Sequence, residues 1–272
     1  MGMINMEKRS LKWSKRKTTR CLAAACTALT LAVGGCKSEP SKEEEVSQAQ
    51  AEIDSVASQV VSESETAPSD PAAARKTDFA QLESMNPDVI GWIYIPNTGV
   101  DYPILQSPDN DEKYLTTTIG GETNITGSIY AESWNAGDFS DPVTILYGHT
   151  VFEDPNHQYD QMFTDLHKYE DGAFMESDPY IYVYSPEEAI KYQVFSCVNF
   201  DDRYLPASFD FNNPESFQNY IDELKNTAGA VTNPGVVVTP DTKVLTLSTC
   251  VGLNSDRRLL VSGAQIAKEP NS

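Results

Sequence analysis

The chain has 272 residues, with 20 Lys or Arg against 40 Asp or Glu, a net charge of −20 and a pI of about 4.4. That length allows one domain of about 200 residues plus a tail, at roughly 100–200 residues per domain. Residues 1–36 carry +6 and residues 37–76 carry −5, which leaves −21 on residues 77–272. An acidic domain without a basic stripe excludes nucleic acid as a partner; the acidity itself is read as solubility.

Residues 1–36 read as a leader. Lys8, Arg9, Lys12, Lys15, Arg16, Lys17 and Arg20 form a basic start, followed by an apolar run from Cys21 to Val33. At 1.5 Å per residue the sixteen residues from Cys21 to Cys36 reach about 24 Å, short of a ~30 Å hydrocarbon core. A signal peptide is therefore expected rather than a spanning helix. Its end, Leu31 to Cys36, is similar to a lipoprotein cleavage box and makes Cys36 the expected lipidation site, with an uncleaved membrane anchor as the alternative. Either way the N-terminus is expected to hold the domain at the outer face of the cytoplasmic membrane. Residues 37–77 are rich in Ser, Glu, Ala and Gln and are expected to be a disordered acidic tether, with a weak helical stretch near Val46 to Val61.

The composition changes at Asp78, and residues 78–268 read as one catalytic domain. Asp78 is placed to cap a helix that ends at Asn86-Pro87. Gly91–Pro96 and Asp101–Gln106 read as strands around an Asn97-Thr98-Gly99 turn, and Asp109–Leu115 as a short helix. Strands follow at Ser128–Glu132 and Val143–Gly148, then a helix over Gln158–Lys168 with Met162, Phe163, Leu166 and Tyr169 inward and His167 outward. His157 reads as loop. Two more strands, Tyr180–Tyr184 and Ala189–Asn199, precede a helix opened by Asn213-Pro214, whose Phe217, Tyr220, Ile221 and Leu224 share one face. The last two strands bring the count to eight. The expected fold is mainly β: a closed eight-stranded barrel with short peripheral helices and an N-terminal helix.

The chemistry-bearing stretch is Lys243–Ala264: KVLTLSTC, the linker VGLNSD, then RRLLVSGA. It sets Cys250 at the mouth of one strand and Arg258 at the start of the next. A thiolate beside a fixed positive charge suits acyl transfer. The proton-transfer partner is His149, at the end of the strand-like run Val143–Gly148; His157 and His167 lie in polar or helical surroundings. Arg258 is preferred over Arg257, which alternation turns to the other side. Ser248 and Thr249 flank the nucleophile as weaker substrate-contact candidates. A lone strand-end cysteine is usually core, and that is the reading for Cys197 in the alternating run Tyr192–Asn199. Three of the five cysteines (Cys21, Cys26 and Cys36) lie in the leader, so no disulfide framework is indicated. No His or Cys pair has metal-ligand spacing and no acidic loop suits calcium, so no cofactor is expected.

TLSTC with an Arg eight residues after its cysteine, the upstream YGH, the stretch NPDVIGWIYIPNTGVDYPILQ and the run MFTDLHKY together resemble a class B sortase from about Asp78 to Ile266. The resemblance implies the sortase barrel, with the helix after Asn213 lying between the sixth and seventh strands. It implies a cysteine transpeptidase: Cys250 as nucleophile, His149 as general acid and base, and Arg258 on the substrate carbonyl or its oxyanion. It further implies an Asn-Pro-type sorting-signal peptide as one substrate and a peptidoglycan-precursor amine as the other, in a Gram-positive-type bacterium. Lipidation at Cys36 departs from the uncleaved anchor more usual in that class. A sortase joining pilin subunits through a pilin lysine has the same catalytic residues. A non-catalytic surface lipoprotein that binds a partner is the alternative of another class, and the intact Cys-His-Arg set argues against it.

Overall fold

Apolar residues at alternate positions give each strand one buried face, and the sheet they form closes on itself to enclose those faces. The computed structural model describes residues 40–63, 75–151, 161–252 and 255–271; the leader, Cys36 and His157 lie outside the described residues. The first elements are α1 (Lys42–Val60), β1 (Val61–Glu63), β2 (Arg75–Thr77), α2 (Phe79–Met85), β3 (Val89–Tyr94), β4 (Asp101–Leu105), β5 (Ile129–Ala131) and β6 (Val143–Tyr147). They are followed by α3 (Gly172–Ser177), β7 (Tyr180–Tyr184), β8 (Glu188–Asp201), α4 (Leu205–Ser208), α5 (Pro214–Asn226), β9 (Val231–Thr232), β10 (Val244–Cys250) and β11 (Arg257–Pro270). Short 3₁₀ turns occupy Lys113–Leu115 and Thr164–Glu170.

The barrel order is β11-β10-β6-β5-β4-β3-β7-β8, and β11 pairs back onto β8 to close it. These eight are the strands expected from the sequence; β9 is a two-residue addition at the edge of β8. β4–β5 and β6–β10 pair in parallel and the other barrel pairs are antiparallel. Ile93, Ile104, Leu146, Leu245, Leu247 and Val261 fill the interior. Outside β10 and β11, the apolar face of α5 (Phe217, Tyr220, Ile221 and Leu224) covers Val244, Leu260 and Ala264. Asn213 caps α5 by accepting from the amides of Glu215 and Ser216. Beneath the helix, the Tyr220 hydroxyl lies 2.7 Å from Thr246 Oγ1, which lies 3.0 Å from Ser262 Oγ. The buried hydroxyls on the outer face of β10 and β11 thus satisfy one another.

The helical stretch expected near Val46 to Val61 is present, and it is docked on the domain where a disordered tether is expected. Residues 42–60 form a docked helix, and β1 pairs with β2 in register Val61↔Thr77. A capping box between Ser41 and Glu44 starts α1. Val46, Ala49, Val56 and Val60 are buried, and Ile53 packs partly against the core. Polar contacts fix its register on the barrel: Gly120 N–H donates to Glu52 Oε1 at 2.6 Å, and Asn124 Nδ2 to the Glu45 carbonyl at 2.8 Å. The apolar positions follow steps of three and four, so they form one stripe although they are few. A composition average over 37–77 hides that this stripe is enough to dock the helix.

The docked helix makes the N-terminal segment part of the stable domain. With Val46, Val56 and Val60 each contributing about 1.5 kcal/mol on burial, offset in part by the entropy of ordering the segment, a chain starting at Asp78 should be about 3 kcal/mol less stable to denaturant than one starting at Ser41. Equal midpoints and slopes for the two chains would return residues 41–77 to the role of a tether.

Candidate active site

Strand register brings three distant residues to one place. In β10 alternation turns Leu245, Leu247 and Thr249 inward and Thr246, Ser248 and Cys250 outward. β11 runs antiparallel to it, with Cys250 directly opposite Arg258. β6 runs parallel on the other side, with Ser248 opposite Tyr147. The ladder continues one step, Gly148 N–H donating to the Ser248 carbonyl at 3.2 Å. Gly148 faces the interior, where a Cβ would stand 2.5 Å from Ile129 Cδ1 and 2.7 Å from Phe163 Cδ2. Only glycine fits there, and Tyr147 and His149 on either side of it turn outward. His149, Cys250 and Arg258 therefore stand at the same end and on the same face of three neighbouring strands.

Arg258 Nη1 lies 3.3 Å from Cys250 Sγ, and both residues are half-buried. Arg257 turns away, as alternation predicts, and its guanidinium is held by Asn199, with Nη2 2.6 Å from the Asn199 carbonyl and Nε donating to Oδ1. The His149 ring is half-buried, and its Nε2 lies 2.8 Å from the Leu115 carbonyl. A carbonyl only accepts, so Nε2 carries the proton and Nδ1 is the lone-pair nitrogen of the neutral ring. Burial pushes the His149 pKa below its ordinary 6.5, the Arg258 charge pushes the same way, and the Leu115 bond opposes them. His149 is thus a neutral imidazole at neutral pH.

The remaining candidates divide. Ser248 is buried on the Cys250 face. Thr249 is not on that face: it is 2% exposed, and its hydroxyl lies 2.7 Å from Thr150 Oγ1. The period of two that turns Cys250 outward turns Thr249 inward, so it is withdrawn as a substrate contact. Cys197 is a core residue opposite Val261, and burial pushes its thiol pKa up. Among the described residues neither Cys197 nor Cys250 forms a disulfide. Among the described residues, no three His, Cys, Asp or Glu side chains gather to hold a metal ion.

His167 also needs correction. Its side chain is 18% exposed, and its Nε2 lies 3.3 Å from the Cys250 carbonyl. Residues 164–170 form a 3₁₀ helix rather than an α-helix, so the buried row is Phe163, Leu166 and Tyr169 at intervals of three. The next row starts at buried Thr164, passes through half-buried His167 at the barrel mouth and ends at exposed Glu170. Sequence reading also passed over an aromatic wall: Tyr130 pairs with Tyr147 across β5 and β6, their rings stacked 5.5 Å apart. Beside it Glu132, 1% exposed, accepts from Trp134 Nε1 at 3.2 Å. The signal was available, since Tyr130 and Tyr147 occupy the outward positions of their strands.

The lowered His149 pKa carries a sign. The unfolded chain binds this proton more tightly, so the contribution to stability is present above about pH 6.5 and is lost as the pH falls through 6.5 toward the folded-state value. Denaturant midpoints between pH 7.5 and 5 should fall less for His149→Gln, whose amide can still donate to Leu115, than for the wild type. An identical acid loss in both would show that His149 is not buried in its neutral form.

A family model described as Sortase domain matches residues 93–266. The chain is 31% identical over 175 residues to sortase B of Listeria monocytogenes, covering 64% of this chain and 68% of that protein. It is 32% identical over 190 residues to sortase B of Staphylococcus aureus, covering 68% and 73%. The structure of a Staphylococcus aureus sortase B–substrate complex superposes with a TM-score of 0.60 at 32% identity, covering 69% of this chain and 84% of that one. A sortase B from Bacillus anthracis shares the fold with a TM-score of 0.65 at 24% identity, covering 82% and 98%. With the family matched over most of the barrel, the chain belongs to the sortases, on the class B side, and is a cysteine transpeptidase.

Proposed function

We propose that Cys250, His149 and Arg258 carry the transpeptidation, and that the reaction transfers a surface protein from its sorting signal to a cell-wall amine. The observation that supports this most is the 3.3 Å approach of Arg258 Nη1 to Cys250 Sγ on the face where His149 also emerges. The Cys250 proton passes to His149, giving thiolate and imidazolium. The thiolate attacks the scissile carbonyl, and the oxyanion that develops accepts from the Arg258 guanidinium, whose donors are fixed in a plane and whose charge is permanent. The C–N bond breaks, His149 protonates the departing amine, and a thioester remains on Cys250. An incoming amine gives its proton to His149, attacks the thioester and expels the thiolate.

The low His149 pKa limits how much imidazolium forms at neutral pH but makes it a stronger acid toward the leaving amine. Nε2 is bonded to Leu115, so Nδ1 is the nitrogen assigned to proton exchange. The sorting signal is proposed to be of Asn-Pro type and the amine to come from a peptidoglycan precursor. Lipidation at Cys36, five residues before the α1 cap Ser41, would attach the domain to the outer face of the membrane at close range. No helix among the described residues is long and apolar enough to cross a membrane.

Residues 41–272 incubated with an Asn-Pro-type sorting peptide and a small primary amine should give, by mass spectrometry, an acyl adduct on Cys250 and the amine-ligated product. Cys250→Ala should abolish both with the melting temperature kept; residual turnover would remove Cys250 as nucleophile. Arg258→Ala should lower kcat by about 10²–10³, as loss of an oxyanion donor does, and Arg257→Ala by far less. Equal losses, or the reverse order, would transfer the role away from Arg258. Adduct with hydrolysis alone, whatever amine is added, would make the protein a peptidase in practice.

A further inference from the structure

The main-chain carbonyl of Cys250 is held from below by two side chains. Thr150 Oγ1 donates to it at 2.9 Å, and His167 Nε2 lies 3.3 Å away. The other ring nitrogen of His167, Nδ1, lies 2.7 Å from Glu170 Oε2. A carbonyl and a carboxylate are both acceptors, so the two contacts are hydrogen bonds together only when both ring nitrogens carry protons. The Glu170 contact sets the ring orientation that turns Nε2 toward the Cys250 carbonyl.

The same 3₁₀ element braces the other proton-transfer strand. Phe163 N–H donates to the His149 carbonyl at 2.9 Å, and Val151 N–H donates to Thr164 Oγ1 at 2.8 Å. Thr150 and Met162 form a bridge between the two segments. Residues 162–167 thus hold both strand ends from which the reacting side chains project. Cys250 needs such a hold because it is the last residue of β10, and beyond it Val251 N–H reaches the Arg257 carbonyl only at 3.3 Å.

We propose that His167, oriented by Glu170, is a positioning residue for the nucleophile. It fixes the Cys250 main chain, and so the direction of Sγ toward Arg258. It acts through the Cys250 carbonyl. The inference rests on Cys250 being the nucleophile.

Wild type, His167→Ala, His167→Arg and Glu170→Gln are compared with an Asn-Pro-type peptide and glycinamide, and separately for the rate at which iodoacetamide alkylates Cys250. Loss of one hydrogen bond to a positioned group predicts a fall in kcat of about tenfold for His167→Ala, with KM within about twofold and alkylation slowed in step. Arginine presents a permanent charge and donors for both acceptors, so His167→Arg should recover most of the loss. Glu170→Gln should fall between. A kcat for His167→Ala within about twofold of wild type overturns the inference, as does a loss confined to KM or an arginine variant no better than alanine. If His167→Ala does not fold, the other two variants decide, and Glu170→Gln at the wild-type rate overturns it. A wild-type adduct on Cys250 with these negative results removes the role of His167 alone; no adduct on wild-type Cys250 removes the nucleophile and this inference with it.

Discussion

The pairing of β10 between β6 and β11 is the constraint on which the site depends. A sheet has a side-chain period of two, so a slip of one residue in β10 would carry Cys250 into the barrel and Thr249 out of it. Two opposed demands hold the register. Leu245 and Leu247 belong to the interior cluster, and Thr246 lies under α5 with its hydroxyl bonded to Tyr220 and Ser262. Slipped by one, the strand would set leucines against the Tyr220 and Ser262 hydroxyls, leaving those unpaired, and bury the Thr246 hydroxyl among the interior aliphatics, each at a cost larger than a typical net hydrogen bond. The outer packing of α5, far from the chemistry, is therefore part of what aims the thiol.

Electrostatics at the site follow from what each group can do when half-buried. Arg258 cannot give up its charge, so it must keep donors engaged, and it does so on Cys250 Sγ and the Arg257 carbonyl. His149 can, and burial together with the Arg258 charge favours the neutral ring. Two basic side chains thus share one strand end without repulsion, one as a fixed cation and one as a proton acceptor. The net charge of −20 adds little to this local balance, because exposed carboxylates beyond about 10 Å are screened at ordinary salt.

Much of this was legible in the chain itself, because the informative features are periodic or local. All eight barrel strands, the Asp78 and Asn213 caps and the face of α5 carry their pattern within a few residues. The Cys250–Arg258 pair follows from two strands joined by a short linker, and His149 from its place at a strand end. The misreadings share a cause, which is a period or an average applied at the wrong scale. The helix near Val46 to Val61 is legible, but a composition taken over forty residues hides that Val46, Ala49, Ile53, Val56 and Val60 are spaced to dock it. His167 looked exposed because a repeat of 3.6 was assumed where the backbone winds at three residues per turn. Thr249 was kept for its nearness in sequence, which in a strand means the opposite face. The stacking of Tyr130 on Tyr147 depends on which strands become neighbours, and neither segment states that alone.

A site built at strand ends has a particular weakness. Ladder bonds stop there, and terminal residues open more readily than those inside a sheet. The reacting groups also come from segments about a hundred residues apart, joined by a parallel pairing with no hairpin to enforce it. The barrel compensates with local ties that bypass the ladders. The Leu115 carbonyl holds the His149 ring, Phe163 N–H holds the His149 main chain, and Thr150 with His167 holds the Cys250 carbonyl. Three of these ties come from the strand-end residue Thr150 and the segment that ends in the 3₁₀ helix, neither of which belongs to the barrel. An error of 1 Å in the approach of a nucleophile is costly in rate, so the precision of the site rests on elements that contribute little to closing the sheet.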